Sequence, residues 1–259
     1  MTPQSDHTPA GADSPSTSLG VIGRLTGIYF SPGETYPIIG RAPKFILPII
    51  LMGIVGAISS FALTHRIGYE SMVRKQMESM VEKGWLTPEI AEEQIRKSTT
   101  GTAATVGKLQ GPIGAGIVYA LVILIMTALF KLISMIVGAE SDFKPLLGVT
   151  AWTFLALGIL QLVLLIIVIY LKPPDEIDMI NPVGSNLGAL LSVVAGSTPK
   201  FVKALATWVD VFGIWRIFLL SIGYAAVSRK LSTGTAAAFL IALYLIAAVI
   251  FSALAAAFM

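Results

Sequence analysis

The chain of 259 residues is 55% hydrophobic and only 13% charged, about half the charged share of an average soluble domain, which is roughly 25%. This argues against a soluble fold, because a chain of this length rarely builds a core large enough to bury so much apolar surface, whereas lipid covers it directly. The net charge of +3 comes without a basic arm, which argues against a nucleic-acid partner, and the absence of cysteine excludes disulfides and thiol chemistry.

The N-terminal region is predicted to hold a polar tail followed by a surface helix. Residues 1–18 are rich in Ser, Thr, Pro, Asp and Gly, and with so few apolar side chains they cannot repay the entropy of ordering, which predicts a disordered polar tail. From Leu19 to Phe30, apolar residues recur at near-helical spacing around one charge, Arg24. This pattern predicts a short interfacial helix lying along the membrane surface.

A second short helix is predicted to begin at Ser31. Ser31 is a good N-cap, Pro32 suits the first helical turn, and Glu34 is placed to reach back to the amide of Ser31. The helix is predicted to stop before Pro43, because a proline disfavours helical backbone in the residue before it.

Five segments are predicted to cross the membrane as helices, each long enough for a hydrocarbon core of about 30 Å at about 1.5 Å per residue. They are residues 45–63, 112–137, 146–171, 204–227 and 236–258. The fourth is entered through Thr198 and Pro199 and carries Asp210 and Arg216, whereas the only charge in the other four is Lys131. The many Gly and Ala residues of these spans indicate close helix packing.

Residues 66–110 are predicted to form a solvated helical loop between the first two spans. Two helices joined near Gly84 are expected, the second opened by Thr87 as cap, Pro88 in the first turn and Glu89 near the helix dipole. Opposite charges at helical spacing each stabilise such helices by about 0.3 kcal/mol. The pairs are Glu70 with Arg74, Glu92 with Arg96, and Glu93 with Lys97. A solvated face is the simpler interpretation, and a binding surface is the alternative.

The segment from Trp208 to Arg216 has unusual polarity for a predicted span, and an ionisable residue within a span is a functional hypothesis by default. Asp210 and Arg216 stand about 240° apart around a helix, so they cannot pair directly. Two interpretations stay open. In one, Trp208 and Trp215 share a face and anchor the helix near the membrane interface; in the other, the two charges serve transport or a proton relay. The apolar run 187–194 is too short to cross and is expected to lie at the interface or on the bundle.

No catalytic constellation is evident in the sequence. A phosphate-binding loop, HExxH, GxSxG and paired carboxylates at catalytic spacing are all missing. His7 lies in the polar tail, and His65 lies beside Arg66 at a helix end, where an interfacial polar residue is ordinary. We therefore expect no enzymatic activity, no catalytic residues, no cofactor and no metal site.

Two stretches resemble the Yip family of Ypt/Rab-interacting membrane proteins. The residues from Ser31 to Tyr36 and on to Pro43 are similar to the family's SP-x-E/T-F…P segment before the first span. The residues from Asp210 to Gly223 are similar to its D-x-F-x-x-W…L-x-x-x-G pattern in the fourth span. We call the positions that carry the resemblance the signature residues: Pro32, Glu34, Pro43, Asp210, Phe212, Trp215, Arg216 and Gly223.

The resemblance covers residues 19–259 and implies an all-α, polytopic membrane helix bundle of about five transmembrane helices, with its N-terminus cytoplasmic and its C-terminus outside. Eukaryotic members bind prenylated Rab-type GTPases and act in vesicle budding and fusion. This sequence lacks their DLYGP motif and resembles the prokaryotic branch, so Rab-type GTPase binding does not carry over. A bacterial inner membrane is then the expected location.

The first functional hypothesis is a non-enzymatic membrane scaffold or adaptor, with an undefined protein partner, in membrane organisation or trafficking. Its first loop and N-terminal segment would present the binding surfaces. The alternative is a small-solute or ion transporter or channel that uses Asp210 and Arg216. The lipid bilayer is the expected partner in both cases, no nucleic acid is expected, and a homo-oligomer is compatible with either. The polar tail favours a cytoplasmic N-terminus, which also places Arg24, Arg41, Lys44, Lys144, Arg229 and Lys230 on the cytoplasmic side, whereas the basic residues of the 66–110 loop favour the reverse.

Overall fold

The computed structural model describes residues 19–179, 181–194 and 198–258, so the tail predicted over residues 1–18 lies outside the described residues. The helices in chain order are α1 (Val21–Phe30), α2 (Pro32–Arg41), α3 (Ile46–Ile67), α4 (Tyr69–Glu82), α5 (Pro88–Thr99), α6 (Gly101–Ile136), α7 (Phe143–Leu171), α8 (Leu187–Val194), α9 (Lys200–Ala206), α10 (Val211–Val227) and α11 (Thr233–Phe258). Two short strands, β1 (Glu140–Ser141) and β2 (Ser228–Arg229), pair in antiparallel register. The predicted all-α helix bundle is confirmed.

Four helices of the described chain, α3, α6, α7 and α11, are long and apolar enough to cross a membrane. The fifth apolar helix of the bundle, α10, has 17 residues, which span about 25 Å at about 1.5 Å per residue. Large apolar side chains on all of these helices are exposed on the outside of the bundle, where lipid is their natural solvent. The predicted membrane bundle is therefore confirmed.

The helix of the predicted fourth span is interrupted. After α9 ends at Ala206, the chain turns through Thr207 to Val209, and Asp210 then caps the start of α10. Trp208 consequently lies in the turn and not in α10, so the expectation that it shares a helix face with Trp215 is wrong. The break arises because the carboxylate of Asp210 accepts a hydrogen bond from a backbone amide of the next turn, which favours a helix start over a helix interior.

The two ends of the helix bundle carry different elements. At the α2 end lie α1, α2 and the β1–β2 ladder, in which Glu140 also pairs with Lys230 at 2.9 Å. This hydrogen bond to Lys230 lowers the pKa of the exposed Glu140 carboxyl below its usual value. At the opposite end lie α4 and α5, which together form the α4–α5 arm, so this end is called the arm end. The segment that follows α7 lies there too, since Lys75 of α4 donates a hydrogen bond to the carbonyl of Asp175. Between the ends runs α7, whose residues from Leu146 to Gly158 are all buried.

One face of α1 is part of the bundle core, while Ile22 and Phe30 on the other face are exposed. Arg24 is 1% exposed. Its guanidinium donates to the carbonyls of Leu19 and Ala42, at 3.1 and 3.0 Å, and its Cζ lies 5.2 Å from the ring centre of Trp152. Nη2 of the same side chain is buried without a hydrogen-bond partner. Arg24 thus joins α1, the end of α2 and α7.

The start of α2 differs from the predicted capping box. Pro32 is the first residue of the helix, as expected, but the side chain of Ser31 makes no capping hydrogen bond. The amide of Ser31 donates instead to the carbonyl of Gly27 at 2.8 Å, so Glu34 has no donor there to reach. Because α2 follows α1 directly, the last turn of α1 already uses the Ser31 amide, which a capping box would need.

Close helix packing, predicted from glycine and alanine, is present between α3 and α6. A Cβ added at Gly116 would lie 3.1 Å from the carbonyl oxygen of Gly53, and one added at Gly56 would lie 2.6 Å from the ring of Tyr119. Gly114, in contrast, has open space beside it. Gly56 and Gly116 therefore set the distance between the two helices, whereas Gly114 does not.

The α4–α5 arm is the solvated helix pair predicted for the first loop. Its turn includes Gly84 at φ +71°, and Thr87 caps α5 by accepting a hydrogen bond from the amide of Ile90. The ion pairs Glu70–Arg74 and Glu93–Lys97 form as predicted, at 3.6 and 2.6 Å. The expected Glu92–Arg96 pair is wrong, because Glu92 instead pairs with Arg74 across the two helices at 3.0 Å.

Candidate functional site

Three of the signature residues lie at the α2 end. Pro32 opens α2, and Glu34 is exposed in the first turn of that helix. Pro43 lies between α2 and α3 and contacts α7, where a Cβ added at Gly148 would lie 2.8 Å from the Cβ of Pro43. Position 148 must therefore stay small for the chain to enter α3 at this place.

Gly223 connects the two signature stretches. A Cβ at this position would collide with Cγ1 of Val149 and lie 3.1 Å from Cδ1 of Tyr36. Tyr36 belongs to α2, and its buried hydroxyl forms a hydrogen bond of 2.7 Å with the hydroxyl of Thr153 in α7. The first stretch thus packs directly on the second, and α2, α7 and α10 meet at the glycine.

Asp210 is held at the arm end by contacts from two directions. One carboxylate oxygen accepts the amide of Gly213 at 2.8 Å, which caps α10, and the other accepts the hydroxyl of Ser185. The backbone pairs alongside, since the amide of Leu187 donates to the carbonyl of Val209 at 3.0 Å. These contacts attach the segment before α8 to the turn between α9 and α10, so Asp210 is a structural joint as well as a charge.

Arg216 lies about 1.7 helical turns beyond Asp210 in α10. Its Cζ lies 4.6 Å from the ring centre of Phe154, and its Nε is buried without a hydrogen-bond partner. Within the described residues it forms no ion pair with Asp210, although the two charges interact at longer range. Two other signature residues of α10 make apolar contacts. Phe212 is buried, and the ring centres of Trp215 and Tyr29 lie 6.1 Å apart in an edge-to-face arrangement.

Asp210 also lines a cavity of about 460 Å³ at the arm end of the bundle. Walls from α3, α6, α7 and α11 surround it, together with the segment after α7 and the turn before α10. Its polar and aromatic lining includes Tyr119, Gln161, Asn181, Asn186, Trp208 and Tyr244. Along α7, the cavity extends toward the α2 end only as far as Gly158. From Gly158 to Leu146 that helix is fully buried, so the packed core closes the cavity on the side of the α2 end.

Several polar groups at the cavity have spare hydrogen-bonding capacity. Within the described residues, Tyr119 and the amide of Gln161 make no side-chain hydrogen bond. Asn186 uses its carbonyl oxygen to accept the amide of Ala189 at 2.9 Å, which leaves its NH₂ group available. Tyr244, by contrast, is committed, because its hydroxyl donates to the backbone carbonyl of Trp208. The cavity can therefore donate and accept hydrogen bonds without disturbing the fold.

Most of the cavity was missed by sequence analysis, which singled out only Asp210 among its lining residues as a functional candidate. Gln161 carried a usable signal, because an amide in the middle of a long apolar span is costly to bury without a partner. Tyr119 and Tyr244 carried none, since tyrosine is common in membrane spans. The described residues hold no group of three His, Cys, Asp or Glu side chains that could bind a metal.

A comparison with known families decides what the two signature stretches indicate. The model of the Yip1 domain matches residues 26–255, which is most of the chain and includes both stretches. This chain belongs to the Yip1 domain family. The family is not a known enzyme family, and its match together with the apolar helices makes this an integral, multi-pass membrane protein. No curated protein and no solved structure matches the chain.

All eight signature residues of this Yip1 domain protein lie within the matched range, and α10 carries five of them from its N-cap onward. The signature residues differ in the contacts that they make. Pro43 and Gly223 shape helix contacts, whereas Asp210 lines the cavity and Arg216 has a buried Nε without a hydrogen-bond partner. The domain therefore combines a tightly packed α2 end with an open, polar arm end.

Proposed function

We propose that this Yip1 domain protein is a non-enzymatic membrane adaptor whose α4–α5 arm binds a protein partner in membrane organisation or trafficking. The observation that carries the proposal is the arm itself, a pair of charged helices inserted between two spans. Its two helices are joined to each other by Arg74, which contacts Glu70 and Glu92. A structured, water-exposed arm has no role in crossing the bilayer, and binding is the ordinary use of such a surface.

The tip of the arm offers the features of a protein-binding surface. Trp85 is 51% exposed, with the ammonium of Lys83 at 5.1 Å from its ring centre, and Ile90 is also exposed. Exposed tryptophan is enriched among the residues that dominate binding energy at interfaces. The inner side, in contrast, is closed by Ala91 and Ile95, which are buried. The N-terminal segment is a weaker candidate, because one face of α1 and α2 packs into the bundle.

The adaptor proposal is tested by comparing the proteins that co-purify with three tagged forms from detergent-solubilised membranes. The double variant Trp85→Ala with Ile90→Ala should lose the partner that the unmodified chain retains. Ile22→Ala is the matched control, because it removes an exposed apolar side chain at the other end of the bundle. A wild-type chain that returns no reproducible partner, or a partner retained by the double variant, would contradict the proposal.

Transport of a small solute or ion is the second candidate, and the polar cavity beside Asp210 favours it. The cavity is closed toward the α2 end, so transport would require the helices to open the packed core. In proteoliposomes, Arg216→Ala should abolish flux while the protein still elutes as a folded species. Loss of the folded protein would instead assign Arg216 a structural role.

We further propose that the protein resides in a bacterial inner membrane with its N-terminus cytoplasmic and its C-terminus outside. The support is the set of basic residues at the α2 end, which includes Arg41, Lys44, Lys144 and Lys230. The chain contains no cysteine, so single cysteines report cleanly on side-specific labelling. In this orientation the arm faces outside, where a partner of the adaptor would have to be found.

A further inference from the structure

We propose that the arm-end cavity is a binding site for an organic ammonium group, carried either by the headgroup of a lipid or by a free amine. This goes beyond the adaptor role, which depends on the arm surface and not on the cavity. The cavity's volume, about 460 Å³, lies within the range of about 300–1,000 Å³ that is usual for small-ligand sites.

Charge is the first reason for an ammonium ligand. Among the described residues that line the cavity, Asp210 is the one with a charged side chain. Each of its carboxylate oxygens accepts one hydrogen bond, from Gly213 and from Ser185, and a carboxylate has room for about four in all. The remaining positions can accept the N–H groups of an ammonium ion, whereas an anion would meet repulsion.

Aromatic rings are the second reason. Tyr119, Trp208 and Tyr244 line the same cavity, and the rings of Trp208 and Tyr244 meet nearly perpendicularly at 5.3 Å. Aromatic faces attract organic cations, and several aromatic rings around one cavity are a known way to bind an ammonium ligand. The apolar part of a ligand would find Val55 and Leu162 on the same walls.

Arg216 does not contradict this assignment. It is not part of the cavity lining, and its guanidinium lies over the ring of Phe154. Its charge offsets part of the attraction of Asp210 at longer range. The site should therefore bind an ammonium group more weakly than the carboxylate and the rings would without Arg216.

The test uses the purified full chain in a neutral sugar detergent, titrated calorimetrically with butylammonium, butanol and butanoate. These probes share a chain length and differ in charge. Butylammonium should bind saturably at one site, with butanol and butanoate at least about tenfold weaker, because a hydrogen bond between charged groups contributes more than one between neutral groups. Butanol or butanoate binding as tightly as butylammonium would overturn the proposal.

Asp210→Asn is the decisive variant, because asparagine is as good an N-cap as aspartate and should preserve α10. It should weaken butylammonium binding about tenfold or more. Asp175→Asn is the matched control, since Asp175 lies at the same end, is exposed and does not line the cavity. Unchanged binding in Asp210→Asn would overturn the proposal. If that variant fails to fold, the selectivity among the three probes on the unmodified chain decides the question.

The two sources of the ammonium group are distinguished by mass spectrometry of co-purified lipid. Enrichment of amine-headed over glycerol-headed phospholipid in the unmodified chain, lost in Asp210→Asn, identifies a lipid headgroup. Butylammonium binding without such enrichment identifies a free amine. Trp85→Ala with Ile90→Ala should leave both measurements unchanged, so failure of the adaptor proposal and failure of this site are separate results.

Discussion

Replacing Gly223 by alanine should destabilise the bundle, although alanine is the better helix former. An added Cβ would lie inside 3 Å of Cγ1 of Val149 and 3.1 and 3.2 Å from two ring carbons of Tyr36, where carbon atoms prefer about 3.5–4.0 Å. Val149 and Tyr36 are themselves 0% exposed, so neither can move away freely. Overpacking of this kind costs about 1–3 kcal/mol, against a gain of about 1 kcal/mol from helix propensity.

The net expectation for Gly223→Ala is a loss of up to about 2 kcal/mol in the free energy of unfolding, which corresponds to a fall of up to roughly 8 °C in Tm for a chain of this size. Thermal unfolding of the detergent-solubilised protein, followed by size-exclusion chromatography, measures it. Gly114→Ala is the matched control, because it is helical with open space beside it, and should be neutral or stabilising. Equal Tm values for the two variants would refute the reasoning.

A second-site change makes the same prediction sharper. Val149→Ala removes the methyl group that the new Cβ would meet, so the double variant Gly223→Ala with Val149→Ala should be less destabilised than the sum of the single variants. The expected interaction free energy is at least about 0.5 kcal/mol, which double-mutant cycles resolve for residues in contact. Strict additivity would mean that the two side chains do not compete for the same space.

Three further predictions follow from polar contacts and bundle geometry. Arg24→Lys should lower the free energy of unfolding by about 1–2 kcal/mol, because lysine cannot serve two carbonyls and an aromatic ring at once; thermal unfolding measures it. Arg66 donates to the carbonyls of Ile169 and Lys172 at the end of α7, so Arg66→Gln should speed hydrogen exchange in the last turn of that helix and leave exchange in α10 unchanged. Cysteines introduced at Gln76, in the arm, and at Ser232, at the α2 end, should be labelled from opposite sides of the membrane, and labelling from one side would refute the assignment of ends.

The helices of this bundle were predictable because their signals are local. Long apolar runs marked α3, α7 and α11, and the Thr87 cap marked the start of α5. The start of α6 was not predictable in the same way. The predicted second span began at residue 112, yet α6 already begins at Gly101, and the intervening turns lack the apolar run by which the span was recognised.

The burial of Arg24 and the cavity could not be predicted, because both depend on residues brought together from distant parts of the chain. Arg24 is buried because Trp152 covers it, and no residue near Arg24 in the sequence predicts that contact. The cavity is lined by residues from several segments that are distant in the sequence, and only the segment that contains Asp210 was predicted to be functional. The interruption before α10 was hidden for a related reason, since Trp208 and Val209 are apolar enough to continue a span.

The length of α6 has a mechanical consequence. Its 36 residues extend about 54 Å at about 1.5 Å per residue, so roughly 24 Å project beyond a hydrocarbon core of about 30 Å. The arm is therefore carried on a rigid lever that is continuous with a membrane span. Pro112 lies where α6 already packs on α3, because a Cβ added at neighbouring Gly111 would lie 3.1 Å from Oγ of Ser60. This contact supports the helix at the position where the proline removes one backbone hydrogen bond. A change in tilt of the span would therefore carry the arm with it across the membrane surface.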